Sequence, residues 1–287
     1  MSELFIELIC EEIPARMQKN AIRYMAEFFS SKLLEHGLLD TSSAAETKSA
    51  IGPKHMAVSL SGVIMRQGDR VVEKRGPKIG APQQAIDGFC KSAGILESQL
   101  VTKQIDKGAF YFAEILEKGR HIETLVPELV YNLVAEFPWP KSQRWGTSRL
   151  SWVRPLRHIN IVLDGELLQG SLDLGGNMTI EFTNAGYGHS AYHKTPFEIS
   201  GFEHYVNKMR EFDVLVLLEE RQSFILKNSR KIAEQKGLHL RRDDSLLEEV
   251  SGLVESPNVL CGRIDDTFMI LPDEVLVTSM RVHQKYF

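Results

Sequence analysis

Cysteine is scarce in this chain, and long apolar runs are missing altogether. Three cysteines in 287 residues, Cys10, Cys90 and Cys261, stand far apart and form no CxxC pair, which argues against a disulfide framework and against a zinc ribbon. Free thiols are expected. No apolar stretch approaches the ~18 residues that span a bilayer. The opening Met-Ser-Glu-Leu-Phe-Ile-Glu has no basic n-region and carries acids inside its apolar run. A secretory signal is therefore not expected, and the chain reads as cytoplasmic with no membrane contact. Catalytic signatures are missing too. GxSxG, GxxxxGK[ST] and GxGxxG do not occur, which disfavours a nucleophile-elbow hydrolase, a phosphate-binding loop and a dinucleotide fold. No histidine is followed by aspartate, so an HD-type metal pair is absent. Nor is there an excess of positive charge: 34 Lys and Arg against 38 Asp and Glu give −4. A general nucleic-acid coat is disfavoured, and any RNA contact must be local.

What is present is an ordinary globular composition, 43% apolar and 25% charged, at a length that suits about two domains. One window departs from it. Between Phe137 and Leu163 lie all three tryptophans, Trp139, Trp145 and Trp152, and five cations, Lys141, Arg144, Arg149, Arg154 and Arg157, with no Asp or Glu. Guanidinium groups fork onto phosphate, and aromatic faces stack on bases. The window is thus a candidate polyanion or RNA contact. The same residues also suit a Trp-rich core hairpin with a solvated arginine rim, since large aromatics usually end in cores.

Periodicity predicts a strand over 4–9, a helix after Pro14 closed by Gly37, a loop over 40–47, and two strands, 48–51 and 56–64, around Gly52-Pro53. A basic loop is expected over 66–78, then a helix 81–93 ended by Gly94, a strand 109–116 and a helix 122–137 interrupted by Pro127. Strand 159–163 should turn at Asp164-Gly165 into a return strand 166–174, followed by irregular backbone over 175–195. Helices are expected over 202–212 and 221–236, with a short strand 214–218 between them. Ser245 and Glu248 form a capping-box pattern ahead of the apolar stripe Leu246, Leu247, Val250, Leu253 and Val254. Strands at 258–264 and 268–271 and a helical segment from Pro272 complete the pattern. The fold class expected is α+β and multidomain, with antiparallel sheets and packed helices. An N-terminal α+β region covers 1–198, with a soft subdivision near 137–140. A second region, 199–287, contains a helical pair. The chain stops directly after His283-Gln284-Lys285-Tyr286, and a longer parent is expected.

No constellation assembles a self-sufficient active site. His189 and His193 have the i,i+4 spacing of a metal pair, but glycine and threonine flank them and no third ligand is near, so turn-holding histidines are expected and no metal. The adjacent carboxylates Glu11 and Glu12 would point to opposite faces of a strand, and a place at the helix start suits them better.

Several blocks, in order, resemble the beta subunit of bacterial glycyl-tRNA synthetase. They are Phe5-Ile6-Glu7-Leu8 with Glu11-Glu12-Ile13-Pro14, Glu73-Lys74-Arg75-Gly76-Pro77, Arg144-Trp145-Gly146 with Trp152-Val153-Arg154-Pro155, and Gly188-His189. Further blocks are Ser245 to Val250, Leu253 to Glu255 with Pro257, Leu271-Pro272, Glu274 to Leu276, and His283 to Phe287. One departure is visible. Gly52-Pro53-Lys54-His55-Met56 stands where the family shows a Thr-Pro-Arg-Arg-Leu-like block, keeping one cation and weakening the second. The resemblance implies a glycine–tRNA ligase holoenzyme of alpha2-beta2 form using ATP and magnesium. Its adenylation site lies on the alpha subunit, while the beta subunit binds tRNA-Gly and the alpha subunit. It further implies a longer beta subunit with downstream HD-type and anticodon-binding domains. Residues 245–287 resemble the start of a domain found in the phenylalanyl enzyme's beta subunit. No cofactor is expected on this chain itself. On this footing Arg144, Trp145, Arg149, Trp152, Arg154 and Arg157 are the first candidates for tRNA or partner contact, and Lys74, Arg75 and Lys78 the second. His189 and His283 are expected to hold turns or to touch RNA edges. The main rival is a protein-interaction scaffold at the alpha–beta interface without RNA contact, and a further one a stand-alone enzyme of another class.

Overall fold

A computed structural model describes residues 2–40, 47–105 and 108–287. The architecture is α+β and divides into two compact units, one of 65–124 and one of 1–64 with 125–287.

The larger unit is built on a sheet of order β2-β3-β1-β7-β10-β9. Its members are β1 (Glu3–Cys10), β2 (Thr47–Ile51), β3 (His55–Ser61), β7 (Leu156–Leu163), β9 (Ser171–Gly175) and β10 (Met178–Thr183), with the two-residue β8 (Glu166–Leu167) paired to β7. The β7–β10 pair is parallel and the others antiparallel. Central β1 is apolar on both faces because both are covered. Across the strands Leu60, Leu4 and Leu163 align, as do Val58, Ile6 and Ile161, and Met56, Leu8 and Ile159. Helix α1 (Ala15–Glu35) packs on β2 and β3 and buries Ala21, Met25, Phe29 and Leu33. On the opposite face Phe5, Ala57 and Val162 meet Phe202, Tyr205, Val206 and Met209 of α4 (Phe202–Glu211). Each such side chain, fully buried, contributes about 1.5–3 kcal/mol.

The one break in the β1 run is also explained on this face. Glu7 is fully buried, and its carboxylate accepts from Tyr205 Oη (2.6 Å) and Asn160 Nδ2 (2.7 Å) and pairs with His55 Nδ1 (2.8 Å). Burial first, then the Glu7 charge, pushes the Tyr205 phenol well above its ordinary value. A buried charge persists only with such partners. Arg221, in α5 (Leu218–Gln235), is equally interior. It donates from Nε to Ser251 O (2.9 Å), from Nη2 to Ile51 O (2.6 Å) and from Nη1 to Leu215 O (2.5 Å), joining three segments. Burial lowers its pKa to about 10.

The smaller unit is a sheet of order β4-β6-β5, formed by β4 (Arg70–Lys78), β5 (Leu100–Ile105) and β6 (Gly108–Glu117), with α2 (Gln83–Ala93) packed on β4 and β6. Helix α3 (Ile122–Glu136) runs unbroken through Pro127. It buries Leu125, Val126, Leu129, Val130 and Leu133.

Several local expectations are corrected. Residues 70–78 are a strand, because a sheet face open to water accepts Arg, Lys and Glu as readily as a loop does. β5 escaped for the same reason. The Asp164-Gly165 turn forms with both φ positive (52° and 90°), but the return is short, and 171–175 pair with β10 instead. The span 175–195 contains β10 and β11 (Ala185–Gly186), which pairs with β12 (Phe197–Glu198). Residues 214–217 are bonded singly, Leu215 N to Glu255 O (2.9 Å) and Ile51 N to Val216 O (3.2 Å), and form no strand. Helix α6 (Asp244–Ser251) is capped by Asp243, whose Oδ1 accepts from Leu246 N (2.9 Å), and not by Ser245. Its stripe does not extend to Leu253, which is 52% exposed. Residues 258–264 and 268–271 form no strand, and α7 (Asp273–Thr278) continues into a wider turn through Gln284. Six of the residues in the loop expected over 40–47 lie outside those described.

Candidate functional site

The Trp-Arg window leaves α3 through Phe137-Pro138-Trp139-Pro140, where two prolines forbid further helix. A loop then closes on itself: Gln143 N donates to Trp152 O (2.8 Å) and Trp152 N to Gln143 O (3.0 Å). The loop 144–151 is fastened to the β9–β10 turn. Arg149 N and Leu150 N donate to Leu174 O at 2.7 and 3.2 Å, Ser148 Oγ donates to Leu174 O (3.3 Å) and, within the loop, to Leu150 O (2.9 Å), and Thr147 Oγ1 donates to Gly176 O (2.7 Å). Gly176 (φ +63°) is required there, since a Cβ would stand 1.9 Å from Thr147 O. The aliphatic stem of Arg149 lies over Gly175.

The aromatics of the window turn inward. Phe137 stacks on Trp139 (4.3 Å between centroids, 22°), and both meet Trp152 edge-on at 4.8 and 5.1 Å. Tyr24 of α1 closes the cluster against Phe137 at 4.9 Å. Trp152 is fully buried, and the Nε1 atoms of Trp139 and Trp152 have no hydrogen-bond partner among the described residues. Burial pushes the nearby Cys10 thiol up to about 12, with the Trp152 side chain and the Arg154 charge pulling the other way. Trp145 is half-buried and has no aromatic partner among the described residues.

The cations separate into two groups. Arg144 and Arg149 are exposed, and their side chains make no hydrogen bond or ion pair among the described residues. Arg154 is half-buried and donates Nη1 to Val153 O (2.8 Å). Arg157, on β7, is joined to Glu11, Nε to Oε1 2.7 Å. Glu11 thus pairs with Arg157 and plays no part in opening α1, whose first turn holds no acid. In the departing block, His55 is buried on Glu7 and Lys54 Nζ lies 3.7 Å from Glu255. Both Lys54 and His55 therefore face carboxylates of the fold.

The second candidate group lies on the smaller unit and is divided by the pleat. Cross-strand partners share a face, and β4 alternates. Arg75 is opposite Phe112 and, beyond a bulge, Lys78 is opposite Phe110. Lys74 is opposite Ala113, the one fully buried residue of the sheet, and so belongs to the other face. Sequence reasoning missed Phe110, Phe112 and Lys103 on the first face. The period-two spacing of Phe110 and Phe112 in an anticipated strand was the available signal.

His189 and His193 bracket a turn closed by a backbone bond. His193 N donates to His189 O (2.9 Å), His189 stacks on Tyr192 at 4.7 Å, and His193 Nε2 meets Asp213 Oδ2 at 2.8 Å. His283 is exposed. Among the described residues no cluster of three or more His, Cys, Asp or Glu could hold a metal, and no helix is long and apolar enough to cross a membrane.

Comparison with known proteins agrees with the blocks quoted above. The family model described as glycyl-tRNA synthetase beta subunit matches residues 4–287. The glycine–tRNA ligase beta subunit of Rhodospirillum centenum is 39% identical over 307 residues, covering all of this chain and 42% of that protein. The beta subunits of Ruegeria sp. and Rickettsia felis are 39% and 36% identical, again over all of this chain and 41% and 42% of theirs. The chain thus spans about two fifths of the length of the curated relatives it matches. It belongs to the glycyl-tRNA synthetase beta subunit family.

Proposed function

We propose that this chain is the part of a glycine–tRNA ligase beta subunit that holds tRNA-Gly for a separate alpha subunit, where ATP and magnesium are used to activate glycine. The assembly is a cytoplasmic alpha2-beta2 tetramer, and the chain itself binds no cofactor. The observation that carries the tRNA role is the 144–149 loop. It presents two exposed, unpartnered guanidinium groups, Arg144 and Arg149, on a backbone fastened by five hydrogen bonds counted across Arg149, Leu150, Ser148 and Thr147. Fixed cations of this kind position phosphate without reading sequence. Arg154 is half-buried and bonded to Val153 O, and Arg157 is withheld by Glu11. Trp152 anchors the loop from the interior.

An interface with the alpha subunit is the second function of the same region. Half-buried Trp145, lacking a ring partner, has the character of an interface anchor. The test uses the reconstituted holoenzyme. Arg144→Ala with Arg149→Ala should reduce glycylation and flatten the salt dependence of tRNA affinity by about 2 in log–log slope. Glycine-dependent ATP–pyrophosphate exchange should stay at the wild-type rate. A variant that folds and charges tRNA normally would end the RNA assignment of the loop. Loss of tetramer assembly instead would assign the loop to the alpha interface.

A further inference from the structure

The smaller unit carries a second surface, independent of the Trp-Arg loop. Its sheet has two unlike faces. One holds Ala113, fully buried, with Leu100 as its cross-strand partner. The other bears two ordered rows. In the first, Phe110 on the central strand is flanked by Lys78 and Lys103; in the second, Phe112 is flanked by Arg75 and Val101. The face extends through Glu73 and Glu114 to Val71 and Leu116, and Val71 and Leu116 are 62% and 61% exposed. A water-facing side of an antiparallel sheet is ordinarily polar. This one is aromatic at its centre and cationic at its edges.

The details suit a ligand with flat apolar rings and negative charge. The Arg75 guanidinium carbon sits 3.8 Å from the Phe110 centroid, and Lys103 Nζ sits 5.8 Å from that of Phe112. A guanidinium laid on an aromatic ring is itself a stacking plane. Gly108 makes room for the Lys78 stem, since a Cβ there would stand 2.9 Å from Lys78 Cε. Lys103 pairs with Glu73, whereas Arg75 and Lys78 have no carboxylate partner among the described residues. Residues 65–124 carry ten bases and eight acids, net +2, which leaves the remainder of this −4 chain at −6.

We infer that this face is a stacking platform for unpaired RNA, two bases resting on the Arg75–Phe110 pair and on Phe112, with their phosphates on Arg75 and Lys78. Spacing selects the single strand. Phe110 and Phe112 are two residues apart on one strand, so their Cα atoms lie about 7 Å apart. That is about twice the 3.4 Å rise per strand of a stacked duplex. Bases seated on both rings must therefore be splayed, as in an extended strand. The inference rests on the tRNA-holding role proposed above and places the unpaired part of such a ligand here.

The test is fluorescence anisotropy of the whole chain with a fluorescein-labelled six-nucleotide RNA of mixed sequence and with a duplex of the same sequence. The wild type should prefer the single strand. Phe110→Leu with Phe112→Leu keeps the apolar area and loses the π faces; it should weaken single-strand binding about 30-fold, the loss of two stacked bases. Arg75→Ala with Lys78→Ala should flatten the salt slope by about 1.4. The Arg75–Lys78 variant should keep the wild-type melting curve, since both side chains are exposed, and the leucine variant, which changes two half-buried rings, is assayed at a temperature where its melting curve shows it folded. Single-strand affinity unchanged in the leucine variant, or a duplex bound as tightly as the single strand, overturns the platform and leaves the tRNA-holding role standing. A wild-type chain that binds neither RNA also overturns the platform, while the tRNA-holding role is decided separately by the holoenzyme test of the Arg144–Arg149 variant.

Discussion

Two regions of this molecule are made of the same materials and use them in opposite ways. The window after α3 and the sheet of residues 65–124 both combine aromatic rings with Arg and Lys. In the window Phe137, Trp139 and Trp152 pack on one another and Phe137 on Tyr24, Trp152 is fully buried, and the guanidiniums of Arg144, Arg149 and Arg157 are left outside. In the sheet Phe110 and Phe112 stand on the same solvent-facing side as Arg75, Lys78 and Lys103. The cause is backbone geometry. An irregular loop fastened at several points can rotate each side chain to its own preferred medium. A strand has a period of two and must place every second residue on one face, whatever its polarity. Segregation in the loop makes a rigid mount for exposed charge. Enforced mixing in the sheet makes a surface with both stacking and charge.

The largest effect should distinguish the two directly. Trp152→Ala should destabilise the chain by about 3–5 kcal/mol in urea unfolding, as emptied aromatic core sites do. RNA affinity should then fall only under conditions where the protein unfolds. A smaller change would mean that the indole is not the mount of the loop.

The interior character of that mount also has a pH signature. Burial raises the Cys10 thiol from its ordinary 9.0 to about 12. A group with a raised folded-state pKa contributes stability that is fully present below its unfolded value and is lost as pH rises through the folded one. Stability should therefore decline between pH 9 and 12, by up to about 1.4 kcal/mol per pH unit from this group. Cys10→Ala should remove that part of the slope, measured by urea midpoints across the range. An unchanged slope would mean that Cys10 is open to solvent in solution.

Much of the larger unit was legible in the sequence. The continuous apolar run of β1, the Pro14 start and Gly37 stop of α1, and the Asp164-Gly165 turn each carry a local signal that the fold obeys. The gaps have physical causes. β4 and β5 have one face in water, so their charges look like those of a loop. The partner of 171–175 is decided by β10, whose pairing is invisible locally. Glu7 broke an apolar run for a reason that lies 198 residues away, at Tyr205. In the window both rival readings contained part of the arrangement. The tryptophans could be recognised as core-formers and the arginines as rim, but no local pattern says that Arg157 meets Glu11 across 146 residues.

On the sheet, Phe112→Ala should cost about 1 kcal/mol or less in urea unfolding, since a half-exposed ring gives back only part of the 1.5–3 kcal/mol of full burial. A loss equal to that of Trp152→Ala would mean that the face is packed in solution, and the contrast between the two regions would disappear.

The smallest effect concerns the arginine of the window that is joined to a carboxylate. Exposed ion pairs contribute about 0–1 kcal/mol, so Arg157→Ala should barely alter stability. Its RNA consequence should also be small, because Glu11 occupies the guanidinium that phosphate would need. Glu11→Gln removes the competing charge and leaves the guanidinium in place. It should steepen the log–log salt dependence of tRNA binding by about 0.9, the signature of one added phosphate contact. If the slope does not move, Arg157 lies outside the RNA path, and the cationic surface of the window reduces to Arg144 and Arg149.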